Sequence, residues 1–326
     1  MYKRIALLGG MLLCALGASF ALAQTPPPGY PTKPLKVILG FPAGGTSDKI
    51  GRIVSNKLSE DIGQPVVVEN KTGANGIIAT DFVAKSPPDG YTLLMVPSGH
   101  AINNSLSDKV PYDPVKDFET ITLVGTVPMV AVVNDTRMPV KNIAELIAKA
   151  KADPGKIVFG SGGAGSSNQL AVELFSTMAG IKMTHVPYRG DTPGITDLMG
   201  GQIDMIFLNI PAALPLLSSG KVHAIGITSK ARSPLLPNVP TIAETIPGYE
   251  AGSWHGFFAP AKTPKAIVNY LSVELAKAIN SPQVKQVLVA DGVDVVANTP
   301  EEFAAFLNVE IDKWAKIIKT ANVKLQ

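Results

Sequence analysis

Twice in this chain a short apolar strand runs into a turn built of glycine and hydroxyl residues, and then into an amphipathic helix. The first copy is the strand Leu35-Lys36-Val37-Ile38-Leu39, the turn Phe41-Pro42-Ala43-Gly44-Gly45-Thr46-Ser47-Asp48 and a helix expected over 48–62. The second is the strand Ile157-Val158-Phe159, the turn Gly160-Ser161-Gly162-Gly163-Ala164-Gly165-Ser166-Ser167-Asn168 and a helix over 168–179. Glycine lets the backbone turn sharply and lets a partner approach it closely. The following helix leaves its first N–H donors unpaired and places positive dipole at that end. A turn of this kind is a ready anion site.

The remaining pattern alternates in the same way. Residues 66–68, 92–96, 203–207 and 224–228 read as strands. Residues 141–152, 266–280, 282–290 and 300–319 read as helices, the first closed by Asp153-Pro154-Gly155. Such alternation predicts an α/β chain with mainly parallel sheets. The 326 residues suffice for about two domains of ordinary size. Residues 122–133 and 256–260 are extended, apolar and placed to cross between lobes. The expected division is therefore a first lobe of 32–125 plus 256–326 and a second lobe of 126–255.

The N-terminus sets the compartment. Lys3 and Arg4 precede an uncharged apolar run, 5–20, and Ala21-Leu22-Ala23 supplies a small-x-small site. This pattern predicts a signal peptide of residues 1–23, cleaved after Ala23, and a periplasmic protein with a Pro-rich lead-in at 24–31. An uncleaved anchor is the rival reading, weakened by Gly9, Gly10, Gly17 and the Ala-rich end. The sole cysteine, Cys14, lies in this segment behind Leu13, which is too large for a lipoprotein site. The mature chain would then have no disulfide, zinc thiolate or thiol nucleophile. Of 29 basic residues, loss of Lys3 and Arg4 leaves 27 against 26 acidic ones. That balance carries no nucleic-acid footprint, and no nucleic-acid partner is expected.

Neither glycine turn contains Lys or Arg, so binding there rests on N–H donors and shape. Each charge-assisted hydrogen bond contributes about 1.5–3 kcal/mol, and micromolar affinity needs about 8 kcal/mol net. Two turns facing one cleft could hold a small anion if closure excludes water. Each turn taken alone also fits a plain tight βα connection. Gly160, Gly162 and Gly165 match G-x-G-x-x-G, but residues 180–188 offer no acid to hold a ribose. No P-loop Gly-Lys-Ser/Thr and no G-x-S-x-G elbow occurs. His100, His185, His223 and His255 show no ligand spacing, and no metal or cofactor is expected.

Several residues stand open between two roles. Asp48 caps the helix it opens or accepts from a ligand amine or an ordered water. Arg189 is the best cation for a second carboxylate, or half of a surface or interlobe ion pair. Tyr188, Phe41 and Trp254 wall a cleft or pack in the core. Asn209 binds ligand or ends its strand.

Separated motifs then follow in order: Pro42 to Asp48, Pro87-Pro88-Asp89-Gly90-Tyr91-Thr92, Pro111-Tyr112-Asp113-Pro114, the turn at 160–168, Val186-Pro187-Tyr188-Arg189-Gly190, Gly200-Gly201-Gln202-Ile203-Asp204, and the stretch 254–260. In this set the chain resembles the Bug, or TctC-like, periplasmic receptors of tripartite tricarboxylate transporters, from about Tyr30 onward. The resemblance implies a two-lobed periplasmic-binding-protein fold, type II-like, of the Venus flytrap kind, with a ligand cleft between lobes. It implies a small organic carboxylate (a di- or tricarboxylate, acidic amino acid or aromatic acid), held without catalysis by a monomer and passed to integral membrane subunits. Carried over, Ala43, Gly44, Gly45, Thr46 and Asp48 match the first ligand loop, with Pro42 opening it. Gly165, Ser166 and Ser167, after Ala164, match the second. Ser98, Gly99, His100 and Ala101 match a third. The chain departs at Gln169, where many members have His, and at Leu208, where Asp is frequent. The competing reading is an exported hydrolase using a Ser in the interlobe cleft.

Overall fold

Three parallel strands in the order two-one-three frame each half of the molecule. The computed structural model describes residues 26–188, 190–321 and 323; the signal peptide expected at 1–23 and Arg189 lie outside the described residues. β1 (Leu35–Leu39) pairs in parallel with β2 (Val66–Asn70) on one side and β3 (Thr92–Pro97) on the other. Leu35, Val37, Ile38 and Leu39 are all fully buried, because the strand is covered on both faces and reads as an apolar run. α1 (Thr46–Ile62) joins β1 to β2, α2 (Ile77–Ala84) joins β2 to β3, and α3 (Gly99–Leu106) leaves the end of β3.

The second half repeats that plan. β5 (Val158–Ser161) pairs in parallel with β6 (Thr184–Pro187) and β7 (Met205–Asn209). α5 (Ser167–Ala179), α6 (Asp191–Met199) and α7 (Ile210–Leu217) follow these three strands in turn, and α4 (Ile143–Ala152) precedes them. Asn142 caps α4 by accepting from the Glu145 N–H at 2.9 Å.

Two strands bind the halves together. β4 (Phe118–Asn134) runs antiparallel to β9 (Gly252–Pro260) from Phe118 opposite Pro260 to Pro128 opposite Gly252. At Met129 it changes partners, pairing with β7 and with β8 (Val222–Ile227). β9 in turn lies antiparallel against β3, and β10 (Asp294–Val295) pairs with β4 at Gly125 and Thr126. The resulting path is β2-β1-β3-β9-β4-β7-β5-β6. Each half thus borrows an antiparallel fourth strand that the chain carries in from the other half.

The C-terminal helices α8 (Lys265–Asn280), α9 (Pro282–Ala290) and α10 (Pro300–Ala321) complete the layers. α10 packs against both α3 and α5, which belong to different halves. Its Glu310, 5% exposed, accepts from Trp254 Nε1 at 3.0 Å and Trp314 Nε1 at 2.8 Å. Trp254 is therefore core, tied to α10. Gly256 on β9 leaves room for the Phe303 ring of α10, since a Cβ there would fall 2.1 Å from Phe303 Cζ. Among the described residues no helix is long and apolar enough to cross a membrane.

Elements extend or sharpen the sequence expectations for identifiable reasons. α1 begins at Thr46 because Gly45, with extended φ/ψ, is its N-cap. β9 begins at Gly252 because 252–255 keep pairing with β4.

Candidate functional site

The carboxyl ends of both two-one-three sheets open onto one cleft of about 650 Å³. This is where open α/β sheets bind ligands, since the helices diverge at the reversal of strand order. Gly45, Thr46 and Ser47 line it from the start of α1, and Ser98 and Gly99 from the start of α3. Gly165, Ser166, Ser167 and Asn168 line it from α5, Gly190, Asp191 and Thr192 from α6, and Asn209 from the cap of α7. Five helix N-termini thus meet at one space, each adding positive dipole. Among the described lining residues there is no Lys or Arg, and Asp191 is the one charged side chain.

The first loop is built around Asp48. Its carboxylate accepts from the Gly44 N–H at 2.9 Å, from Arg52 Nε at 3.0 Å and from Asn70 Nδ2 at 2.9 Å. The Arg52 hydrogen bond chiefly holds this carboxyl well below the usual range, at about 2, with Gly44 and Asn70 adding to the pull against burial. Asp48 therefore faces the loop's interior, not the cleft. Gly44, at φ +83°, and exposed Ala43 form the turn itself, and Pro42, Gly45 and Thr46 reach the cleft.

The second loop is held in the same manner. The Gly165 N–H donates to Gln169 Oε1 at 2.7 Å, and Ser166 Oγ donates to the Gly163 carbonyl at 2.5 Å. Ala164 sits within this turn, outside the lining. Gln169 thus braces the loop from behind, and Leu208 is fully buried in β7. Neither departure from the family pattern touches the cleft lining.

Because the glycine N–H groups are tied internally, the donors left over lie one step along. Ser166 and Gly45 are N-caps that make no side-chain cap bond. The N–H groups of Thr46, Ser47, Ser167 and Asn168 carry no hydrogen bond among the described residues, as expected for a first helical turn.

Other expected contacts separate. Ser98 lines the cleft, its Oγ 3.3 Å from Ser253 Oγ. His100 and Ala101 do not: both are buried behind the loop. His100 donates from Nε2 to the Pro114 carbonyl at 2.9 Å and stacks on Tyr112, and burial lowers its pKa to about 4. Tyr188 donates to Asp197 Oδ2 at 2.7 Å and packs on Gly160 and Gly194, also off the cleft. Burial and then Asp197 push its phenol up to about 12. Asn209 and Phe41 do line the cleft.

Sequence reasoning missed Ser47, Asn168, Asp191, Ser253 and His255, all in the lining. The signal for Ser47 and Asn168 was their place in the first helical turn. For Asp191 no local signal existed, because α6 was not legible. His255 Nε2 lies 3.0 Å from Ser47 Oγ, while its Nδ1 is buried without a partner. A hydrolytic triad needs a third group to orient that imidazole, and none is present among the described residues. A second pair, Ser161 Oγ with His185 Nε2 at 2.6 Å, stands off the lining.

This α/β fold, with helix starts from both halves meeting in one cleft, defines a two-lobed periplasmic-binding-protein architecture. The chain belongs to the tripartite tricarboxylate transporter family receptors, whose family model matches residues 50–323. It is 36% identical over 322 residues to protein BugT of Bordetella pertussis, covering 97% of this chain and 98% of that one. It is similar to an R. palustris protein solved with adipate, at 35% identity and TM-score 0.79, covering 91% of this chain and 100% of that one. It is also similar to MatC of Rhodopseudomonas palustris, solved with bound malate, at 30% identity and TM-score 0.75, covering 89% of this chain and 100% of that one.

Proposed function

We propose that this chain is an exported, non-catalytic solute receptor that captures a small organic carboxylate in the periplasm and delivers it to the integral membrane subunits of a tripartite transporter. The observation that carries this reading is the set of helix-start N–H groups at Thr46, Ser47, Ser167 and Asn168, all on one cleft and without partners among the described residues. A carboxylate between them would receive donors from α1 and α5 at once. Pro42, Gly45, Thr46, Ser98, Gly165, Ser166, Ser167 and Asn209 are the contacts proposed from the sequence that border this space, with Ser47 and Asn168 added. The adipate and malate found with family relatives agree with this ligand class.

The lobes are 32–125 with 256–326, and 126–255, a division supported by the change of strand partners near Pro128 and Gly252. Export is followed by cleavage after Ala23, and the receptor works as a monomer. Ligand bridges the lobes and favours their closed approach.

Native mass spectrometry and differential scanning fluorimetry with mono-, di- and tricarboxylates, amino acids and aromatic acids test the reading. One bound ligand per chain and a rise in melting temperature are expected. A full panel without either result refutes it. Turnover of an ester panel would instead favour the hydrolase.

A further inference from the structure

We propose that the ligand carries a protonated amine as well as its carboxylate, and that Asp191, together with the side-chain oxygen of Asn209, selects it. This rests on the receptor reading above and narrows its substrate class. A cleft offering only N–H donors would suit a plain polyanion. This cleft does not, because a carboxylate is the one charged side chain among its described lining residues. Like charges in a partly desolvated site repel, so a second negative group near Asp191 is disfavoured. A cationic donor there is favoured.

The surrounding structure holds Asp191 without neutralising it. Its Oδ1 accepts from Asn168 Nδ2 at 2.9 Å. The Asn168 amide is itself fixed, since its Oδ1 takes the Gly162 N–H at 3.2 Å and the Gln169 N–H at 3.1 Å. Close packing over Gly162 fixes the carboxylate from below, with a Cβ there falling 2.8 Å from Asp191 Oδ1. Oδ2 has no hydrogen bond, and no Lys, Arg or His pairs with the carboxylate, among the described residues. Burial raises its pKa against the pull of Asn168, the condition of a carboxylate lacking a countercharge. Asn209 adds an independent sign. Its Oδ1 is buried without a partner, and the residue lines the same cleft. Two acceptors on the α6–β7 wall therefore await donors, while the starts of α1 and α5 await an acceptor. A ligand with both groups satisfies both, and a site built to hydrogen-bond a donor rejects analogues without it.

Position N1 of α6 gives Asp191 a rival role, stabilising the helix dipole. That role would affect melting and not ligand choice. The test is isothermal titration with matched sets: 5-aminovalerate, valerate and glutarate; leucine and 4-methylpentanoate; and adipate. Wild type, Asp191→Asn and, as a control at an exposed carboxylate off the cleft, Asp89→Asn are compared, with Asp191→Ser as a second variant and apo melting as the folding control. At least one amine-bearing member is expected to bind about tenfold or more tightly than its amine-free and dicarboxylate counterparts. Asp191→Asn should collapse that ratio and Asp89→Asn should preserve it. The inference is overturned if a dicarboxylate binds most tightly, or if the ratio survives in both Asp191 variants. In either case carboxylate binding itself stands. If no member of any set binds, this inference is overturned, and the full carboxylate panel decides the receptor reading separately.

Discussion

Ser47 Oγ and His255 Nε2 lie 3.0 Å apart, linking the first turn of α1 to β9 at the floor of the cleft. The His255 Nδ1 already lacks a partner in a buried setting. Ser47→Ala would leave both ring nitrogens unpaired there. It is expected to lower stability by about 1–3 kcal/mol, read by urea denaturation at pH 7. No ester turnover should be lost, because none should exist in the wild type.

Burial holds His100 and His255 near pKa 4, against an ordinary 6.5. The unfolded chain therefore takes up protons below about 6.5 that the folded chain refuses until about 4. Stability contributed by these groups is complete above 6.5, falls as pH drops through that window, and loses nothing further below it. Urea midpoints at intervals from pH 7 to pH 4 should fall steadily. His100→Gln should shallow the slope by removing one of the refused protons, while His255 and His185, also lowered by burial, keep the rest.

A proline at the first helical position keeps a helix and deletes one N–H. Ser167 occupies that position in α5, after Ser166 at φ −67°, ψ 152°, a conformation that tolerates a following proline. Ser167→Pro is expected to weaken carboxylate binding by about 10- to 100-fold with little change in apo melting. Unchanged affinity would remove the α5 start from the binding site.

Gly256 and Phe303 occupy one space at the crossing of β9 and α10. Gly256→Ala should destabilise by about 1–3 kcal/mol through overpacking. Combining it with Phe303→Leu should recover part of that loss, giving a favourable coupling in a double-mutant cycle.

Much of this molecule could be read from its residues. The strand at 35–39 and the two glycine turns announced themselves through apolar runs and helix starts, and both turns do border one cleft. The long apolar stretch at 122–133 marked β4. What stayed hidden was tertiary. His100 follows the third loop in sequence, yet aromatic packing among Tyr112, Phe118 and Phe258 draws it into the core. Asp48 reads as a ligand or a cap, and only Arg52 and Asn70 folding onto it show which way it points. Asp191 and Asn209 line one cleft because β6 and β7 flank β5, an arrangement that no local spacing encodes.

The bonds from Gly44 to Asp48 and from Gly165 to Gln169 have a kinetic consequence. Each turn is braced by a side chain of the helix that follows it, so a ligand arriving there would not wait for floppy peptide to organise. Little ordering entropy would then oppose binding at the loops themselves, and under the proposed receptor reading the rate of capture would be set by diffusion and by lobe closure.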